Sequence, residues 1–581
     1  MLHRAIPFVL YTCLGLVGSG CSAAGGGQAG SGGSSGNGGL INSGGSGSSG
    51  GSGQAGSGGQ AGSGGQAGSG GQAGSGGQAG SGGLSGGGSM SSRGGRTGMG
   101  GGGLSGRGGQ TGGGGASGSA GRPGSGGRLG SGGQPGSGGY TGTASCNFTQ
   151  SSKTASKIKT IGIVTWSTDL TGLKSAKIDF GLDTNYGMTA PVDNPVAGDN
   201  TTLLLGMKQP VSSSSPRVYH YRITATGSNG DCVSPDYTIT TGALMDGLPK
   251  ITVTNKTTSS PVYGGFVLMG QNSASAGGSP APTYIVDKDG DIVWAIGVMK
   301  DAVGAHMSYD GKHVWINCVN LIVGASNGSM GTTCVHRVSI DGEKDEDLSN
   351  KFTGMTHQLT VLPDETIAFY AYSSTSDCFD IKEYNPGTGE VRTIVNSAAA
   401  FNTTTCHLTN IQYLEEEDSL YVSDLYSESV VKIKRSDGSL VWRLNGETPT
   451  ISGVTWAGGN HGVHVLGPDH LLIFNNNSNQ SFGGPADGTG DGSIALEVKV
   501  DASAKTATKV WSYKANPGVQ VDFVGDVQRL PNGNTIVAYS TKGVLHEVDK
   551  NGTLLQEWKW PSGTTFGYVE KRMTLYGPPL R

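Results

Sequence analysis

Four histidines recur at nearly even intervals in the C-terminal part of the chain. They are His306, His357, His407 and His461, separated by 51, 50 and 54 residues. Each precedes an apolar strand, a polar turn and a second apolar strand. Examples are Thr360-Val-Leu-Pro-Asp-Glu-Thr-Ile-Ala-Phe369 and Val465-Leu-Gly-Pro-Asp-His-Leu-Leu-Ile-Phe474. The equivalent place in the following repeat holds Asp526. Imidazoles brought to one space could serve as nucleophile, proton donor and anion ligand. Two other readings stay open: one histidine per repeat bonding only within its own sheet, or a ring of imidazoles around a metal. His313, His336, His464, His470 and His546 lack this register and read as ordinary strand or turn residues.

The elements that must carry the histidines are legible because they repeat. A second hairpin alternates with the first: an apolar strand, an acidic-glycine turn and another strand. It reads Val286-Asp-Lys-Asp-Gly-Asp-Ile-Val-Trp294 and recurs near Ser339, Tyr384, Lys434, Val500 and Val548. Gly, Asn and Asp supply the positive φ values that tight hairpins need. Two hairpins per repeat make a four-stranded sheet, and six such sheets arranged radially make a six-bladed β-propeller over residues 246–581. Inner strands of a propeller face a central channel, so equivalent positions in successive blades converge. Residues 146–245 carry short alternating strands, such as Ile161-Gly-Ile-Val-Thr-Trp166 and Val218-Tyr-His-Tyr-Arg-Ile-Thr224, separated by turn residues. This predicts a small β-sandwich similar to fibronectin type III-like modules. The predicted class is all-β throughout.

The N-terminal quarter is a different material. Most of the 108 glycines of this 581-residue chain precede Cys146. Residues 21–145, with repeats of Gly-Gln-Ala-Gly-Ser-Gly, bury too little apolar surface to offset ordering entropy and read as a long disordered tether. Residues 1–20 read as a signal peptide: His3 and Arg4, then an apolar run from Ile6 to Val17 too short to span a bilayer. Gly18-Ser19-Gly20-Cys21 resembles the lipobox of bacterial lipoproteins, which implies acylation of Cys21 and a membrane attachment through lipid. Ser22 after it favours the outer membrane or cell surface, with the periplasm as second choice. Six cysteines remain beyond Cys13 and Cys21, an even number that suits disulfides in an oxidising compartment. Neighbours in sequence suggest the pairs 146–232, 318–334 and 378–406. The net charge is −4 with charges mixed along the chain, and no basic cluster points to nucleic acid.

Residues from about 280 onward resemble the arylsulfate sulfotransferases, six-bladed propellers that move sulfate between phenols without a nucleotide sulfate donor. The family's nucleophile follows a polar residue just before a strand. Here that segment reads Asn460-His461-Gly-Val-His-Val-Leu-Gly-Pro-Asp-His-Leu-Leu-Ile-Phe-Asn-Asn476, which makes His461 the candidate nucleophile. The preceding blade matches at His407-Leu-Thr-Asn410-Ile-Gln-Tyr413, with the family's asparagine falling on Thr409 beside Asn410 and its arginine on Leu425. His357 matches one blade earlier, and Glu570-Lys-Arg572-Met-Thr-Leu-Tyr576 is similar to the family's closing segment. The resemblance implies catalysis by His461, His407 and His357, substrate binding by His306, Thr409, Asn410 and Asp526, and no metal or cofactor. It implies a phenolic sulfate donor and a phenolic acceptor as partners. The alternative is a surface propeller that binds a ligand or partner without turnover.

Overall fold

The computed structural model of the protein describes residues 146–257, 261–272, 281–299, 302–318, 334–374, 376–403, 405–480 and 485–579. The expected signal peptide, the tether and Cys21 lie outside the described residues.

Six antiparallel sheets, five of four strands and one of five, account for the region after residue 250, and five of them follow the chain outward from an inner strand. The inner strands of blades 2 to 6 are Ala302–Met307, Met355–Val361, Leu408–Leu414, Asn460–Gly467 and Asp526–Arg529. Blade 1 has strands Phe266–Asn272, Ala281–Asp287 and Ile292–Met299, and takes its inner strand, Thr565–Arg572, from the C-terminal end of the fold. These six inner strands touch one another in a closed ring. A six-bladed propeller is therefore formed. The second strands of the blades, such as His470–Asn475, have buried apolar centres, here Leu471 to Phe474, because neighbouring blades cover both faces.

Two crossings close the ring. Thr565–Arg572 pairs with Phe266–Asn272, and the early strand Thr252–Asn255 adds a fifth, outermost strand to blade 6. Both ends of the propeller chain are thus locked into sheets begun by the other end. At the closure the backbones come very close: a Cβ on Gly567 would lie 1.6 Å from the carbonyl oxygen of Val303. Only glycine permits this approach.

Residues 146–240 form two sheets. One holds Phe148–Thr154, Gly162–Thr168 and Asn200–Leu204; the other is built on Ser175–Gly181 and Val218–Gly227. Val164, Trp166, Phe180, Tyr219 and Tyr221 fill the space between them. The unit is pinned to the propeller by named bonds. The Thr160 hydroxyl donates to the Val293 carbonyl at 2.6 Å, and Lys208 contacts Asp287 and Asp291 at 2.8 and 2.6 Å. Tyr576 donates to the Leu203 carbonyl at 2.9 Å and accepts from the Leu205 amide. The three expected disulfides, Cys146–Cys232, Cys318–Cys334 and Cys378–Cys406, are all present. No helix among the described residues is long and apolar enough to cross a membrane.

Gly567→Ala is expected to lower the unfolding free energy by about 1–3 kcal/mol, because the ring must open to admit a methyl group. Denaturant unfolding followed by tryptophan fluorescence would measure it. An unchanged midpoint would show that the closure is looser than described.

Candidate active site

Three of the four expected histidines meet where the inner strands begin, at what we call the upper mouth of the channel. The ring centroids of His357 and His407 are 4.7 Å apart with the rings at 86°, and those of His357 and His461 are 6.2 Å apart. The Nε2 atoms of His357 and His407 are 3.2 Å apart, so one ring donates a proton to the other. His461 Nδ1 lies 2.6 Å from the Oδ1 of Asn476. The Asn476 amide nitrogen donates to the carbonyls of Val521 and Val524, which turns its oxygen toward His461. His461 must then carry its proton on Nδ1 and present a bare lone pair at Nε2.

Backbone features hold the rings there. His357 adopts φ 56° inside a bulge between Met355 and Leu359, and its carbonyl accepts from Asn317 of blade 2 at 2.5 Å. A positive φ at a non-glycine residue is a strained choice, and such choices cluster at functional sites. The Cys378–Cys406 bridge fixes the residue next to His407, whose amide donates to buried Asp424 at 2.8 Å. That carboxylate also accepts from Tyr426 and Ser427, so it sets the whole corner.

Among the described residues, no carboxylate, lysine or arginine side chain is bonded to the three rings. Burial is the main reason that the His461 imidazolium is disfavoured, with its pKa down to about 4, and His407 falls to about 3. His357 is pushed well below the usual histidine range by burial and by the other two rings. All three are neutral at pH 7. Tyr426 lies beside His407 at 5.0 Å between centroids, and Phe379 at 6.0 Å, so an aromatic wall flanks the rings. Leu425 is buried and packs toward Gly459, with no cation in its place.

Residues 406–569 match the arylsulfotransferase (ASST) family. This arylsulfotransferase-like stretch is well under half of the chain. It starts at the bridge beside His407 and ends within the inner strand of blade 1. No curated protein matches the chain. Among solved structures, a protein of unknown function from Bacteroides caccae is 16% identical, with a TM-score of 0.34 over 53% of this chain and 98% of that one. The Cps50 (Swd1) β-propeller domain of Myceliophteria thermophila is 10% identical, with a TM-score of 0.32 over 54% and 89%. Likeness at this level says nothing about chemistry, and the propeller stands on its own strand order.

Of the other expected site residues, His306, Asn410 and Asp526 are placed lower. His306 stands two residues before the turn at Ser308, whereas His357 stands five before the turn at Leu362. At about 3.3 Å per strand residue, this sets His306 roughly 10 Å further down the channel. Even spacing in sequence did not mean equal height, because the inner strands differ in length before their turns. His306 lies between Glu570, at 3.2 Å from Nδ1, and the Gln358 amide, at 3.1 Å from Nε2. Asn410 donates to Gln358 and joins this lower layer. Asp526 is there too, accepting from the amides of Val527 and Val569 at 2.9 and 3.1 Å. Thr409 is fully buried, and its hydroxyl reaches the carbonyls of Asn460 at 3.2 Å and His461 at 3.5 Å in the next blade. It braces the strand that carries His461.

A tyrosine separates the two layers. Tyr568, on the inner strand of blade 1, reaches across the axis and donates its hydroxyl to the Thr409 carbonyl of blade 4. Below it a cavity of about 530 Å³ is lined by His306, Gln358, Asp526 and Glu570 but by none of the three clustered imidazoles. Sequence reasoning missed Tyr568, Asp424 and Asn476 as site residues. Asn476 had a visible mark, two asparagines ending an apolar strand, whereas Tyr568 sits in an unremarkable strand supplied by the far end of the chain.

Replacing Asn476 with Leu removes the acceptor that fixes the His461 proton. Long-range nitrogen NMR of labelled histidine should show one tautomer for His461 in the native protein and a mixture in Asn476→Leu. The same single tautomer in both would remove Asn476 from this role.

Proposed function

We propose that the chain transfers a sulfuryl group from an aryl sulfate to a phenol through a sulfohistidine on His461. The observation that carries this reading is the bare Nε2 lone pair of a neutral histidine, set beside two further neutral imidazoles, with His407 and His461 inside an arylsulfotransferase-like stretch. Nε2 of His461 attacks sulfur, the bond from sulfur to the aryl oxygen breaks, and the leaving phenolate is stabilised by a hydrogen bond from an N–H of the neutral His357–His407 pair and takes its proton from solvent. A second phenol then attacks sulfur through its oxygen, its proton passes to solvent, the N–S bond breaks and His461 is restored. The transition states of such transfers are loose, so positioning and donors aimed at the oxygens do most of the work. Tyr426 and Phe379 supply an aromatic wall suited to an aryl ring.

The three disulfides suit an exported protein. We extend this to a lipid anchor at Cys21 that attaches the chain to the outer membrane or cell surface.

A second reading, a propeller that binds its ligand without turnover, is favoured by Leu425. No fixed cation meets the sulfate there, and losing one donor of that kind costs about 2.7–4 kcal/mol in the transition state. Incubation of the full chain with phenyl sulfate and a phenol acceptor separates the two. Turnover that disappears in His461→Ala supports transfer. Binding of phenyl sulfate without phenol release, in a folded protein, supports the second reading.

The acid limb of the rate gives a further check. His461 must be neutral to attack, and its pKa is lowered to about 4. The rate should therefore hold as pH falls through 6.5 and drop only near 4. A limb centred near 6.5 would mean that the attacking group is solvated and is not this imidazole.

A further inference from the structure

The lower end of the channel holds a cavity that the reaction above does not use. It measures about 530 Å³ and opens where the inner strands end, on the side of Tyr568 away from His357, His407 and His461. Four carboxylates line it: Asp526 and Glu570 in its depth, Glu415 and Glu416 at its rim. No lysine or arginine is among its described lining residues.

Of the two imidazoles that line it, His464 adds no charge and His306 is paired with Glu570. His464 Nδ1 accepts the amide of Arg529 at 3.0 Å and so must lack a proton there. His306 lies between the Gln358 side-chain amide at Nε2 and Glu570 at Nδ1. Glu570 is also held by Arg572 at 2.5 Å. Asp526 is different: 5% exposed, it takes two backbone amides and, among the described residues, has no lysine or arginine paired with it. Burial accordingly pushes its carboxyl up to about 7. The remaining walls are aromatic and apolar, including Tyr309, Tyr413, Pro363, Val463 and Leu466.

We propose that this cavity is a second binding site, separate from the imidazole cluster, for an organic ammonium ion with an apolar or aromatic body. The cationic head would sit against Asp526 in the depth of the channel, where low-dielectric walls concentrate the field of the carboxylates. The tyrosines and aliphatic side chains would cover the body, with the ring faces favouring a cation. An anion such as an aryl sulfate is repelled by the same charges, which keeps the site distinct from the chemistry at the upper mouth. Nothing in this arrangement depends on what His461 does.

Isothermal titration of the full chain with benzyltrimethylammonium tests it, with benzyl alcohol as an uncharged comparison and phenyl sulfate as an anionic one. The expected result is saturable one-to-one binding of the cation, absent for benzyl alcohol at the same concentrations. Asp526→Asn should weaken it about tenfold or more, and rim substitution Glu416→Gln about two- to fivefold. His461→Ala should leave it unchanged. Should Asp526→Asn fail to fold, the Glu416→Gln effect carries the test. Equal binding of benzyl alcohol, indifference to both carboxylate substitutions, or loss of binding in His461→Ala would each overturn the proposal. The last result would place the ligand among the imidazoles instead.

Discussion

Three imidazoles clustered in a dry site, with no carboxylate or cationic side chain bonded to the rings among the described residues, are confined to their uncharged forms. That single electrostatic constraint organises the upper mouth of the channel. Charging any one ring would place an uncompensated cation in a dry site against two others, a cost of several kcal/mol in a protein interior. The neutral state is what leaves a lone pair available, and the Asn476 amide decides which nitrogen bears it. The strained turn at His357, the bridge next to His407 and the Thr409 hydroxyl spanning to the His461 strand all restrict how far the rings can move.

Closure of the ring is what lets residues from three blades share one space. The inner strand of blade 1 comes from the C-terminal end of the fold, and it brings Tyr568 across the axis. One phenol thereby divides the channel into an upper compartment of neutral bases and a lower one dominated by carboxylates. The division matters chemically. Under the proposed transfer an aryl sulfate would react in the upper part, and the carboxylates of the lower part would disfavour it.

Much of the architecture was readable from pattern alone. The acidic-glycine hairpins and the strand–turn–strand segments gave the blades because both hairpin types recur with their own turn residues, and adjacent cysteines paired as their order suggested. The convergence of His357, His407 and His461 followed from their common position at the starts of inner strands. His306 was misread in height, since a sequence interval fixes the blade and not the level within it. Tyr568 and Asp424 were invisible for another reason. Their importance lies in partners, the Thr409 carbonyl and the His407 amide, that are long-range or main-chain groups without side-chain signatures.

The most direct examination of the account is to mix the protein with an aryl sulfate donor in the absence of any acceptor, quench, and map the modified peptide by mass spectrometry. One sulfuryl group on the peptide bearing His461, in step with a single equivalent of released phenol, is the predicted result. Release of phenol with the group on His407 or His357, or with no modified histidine at all, would contradict it.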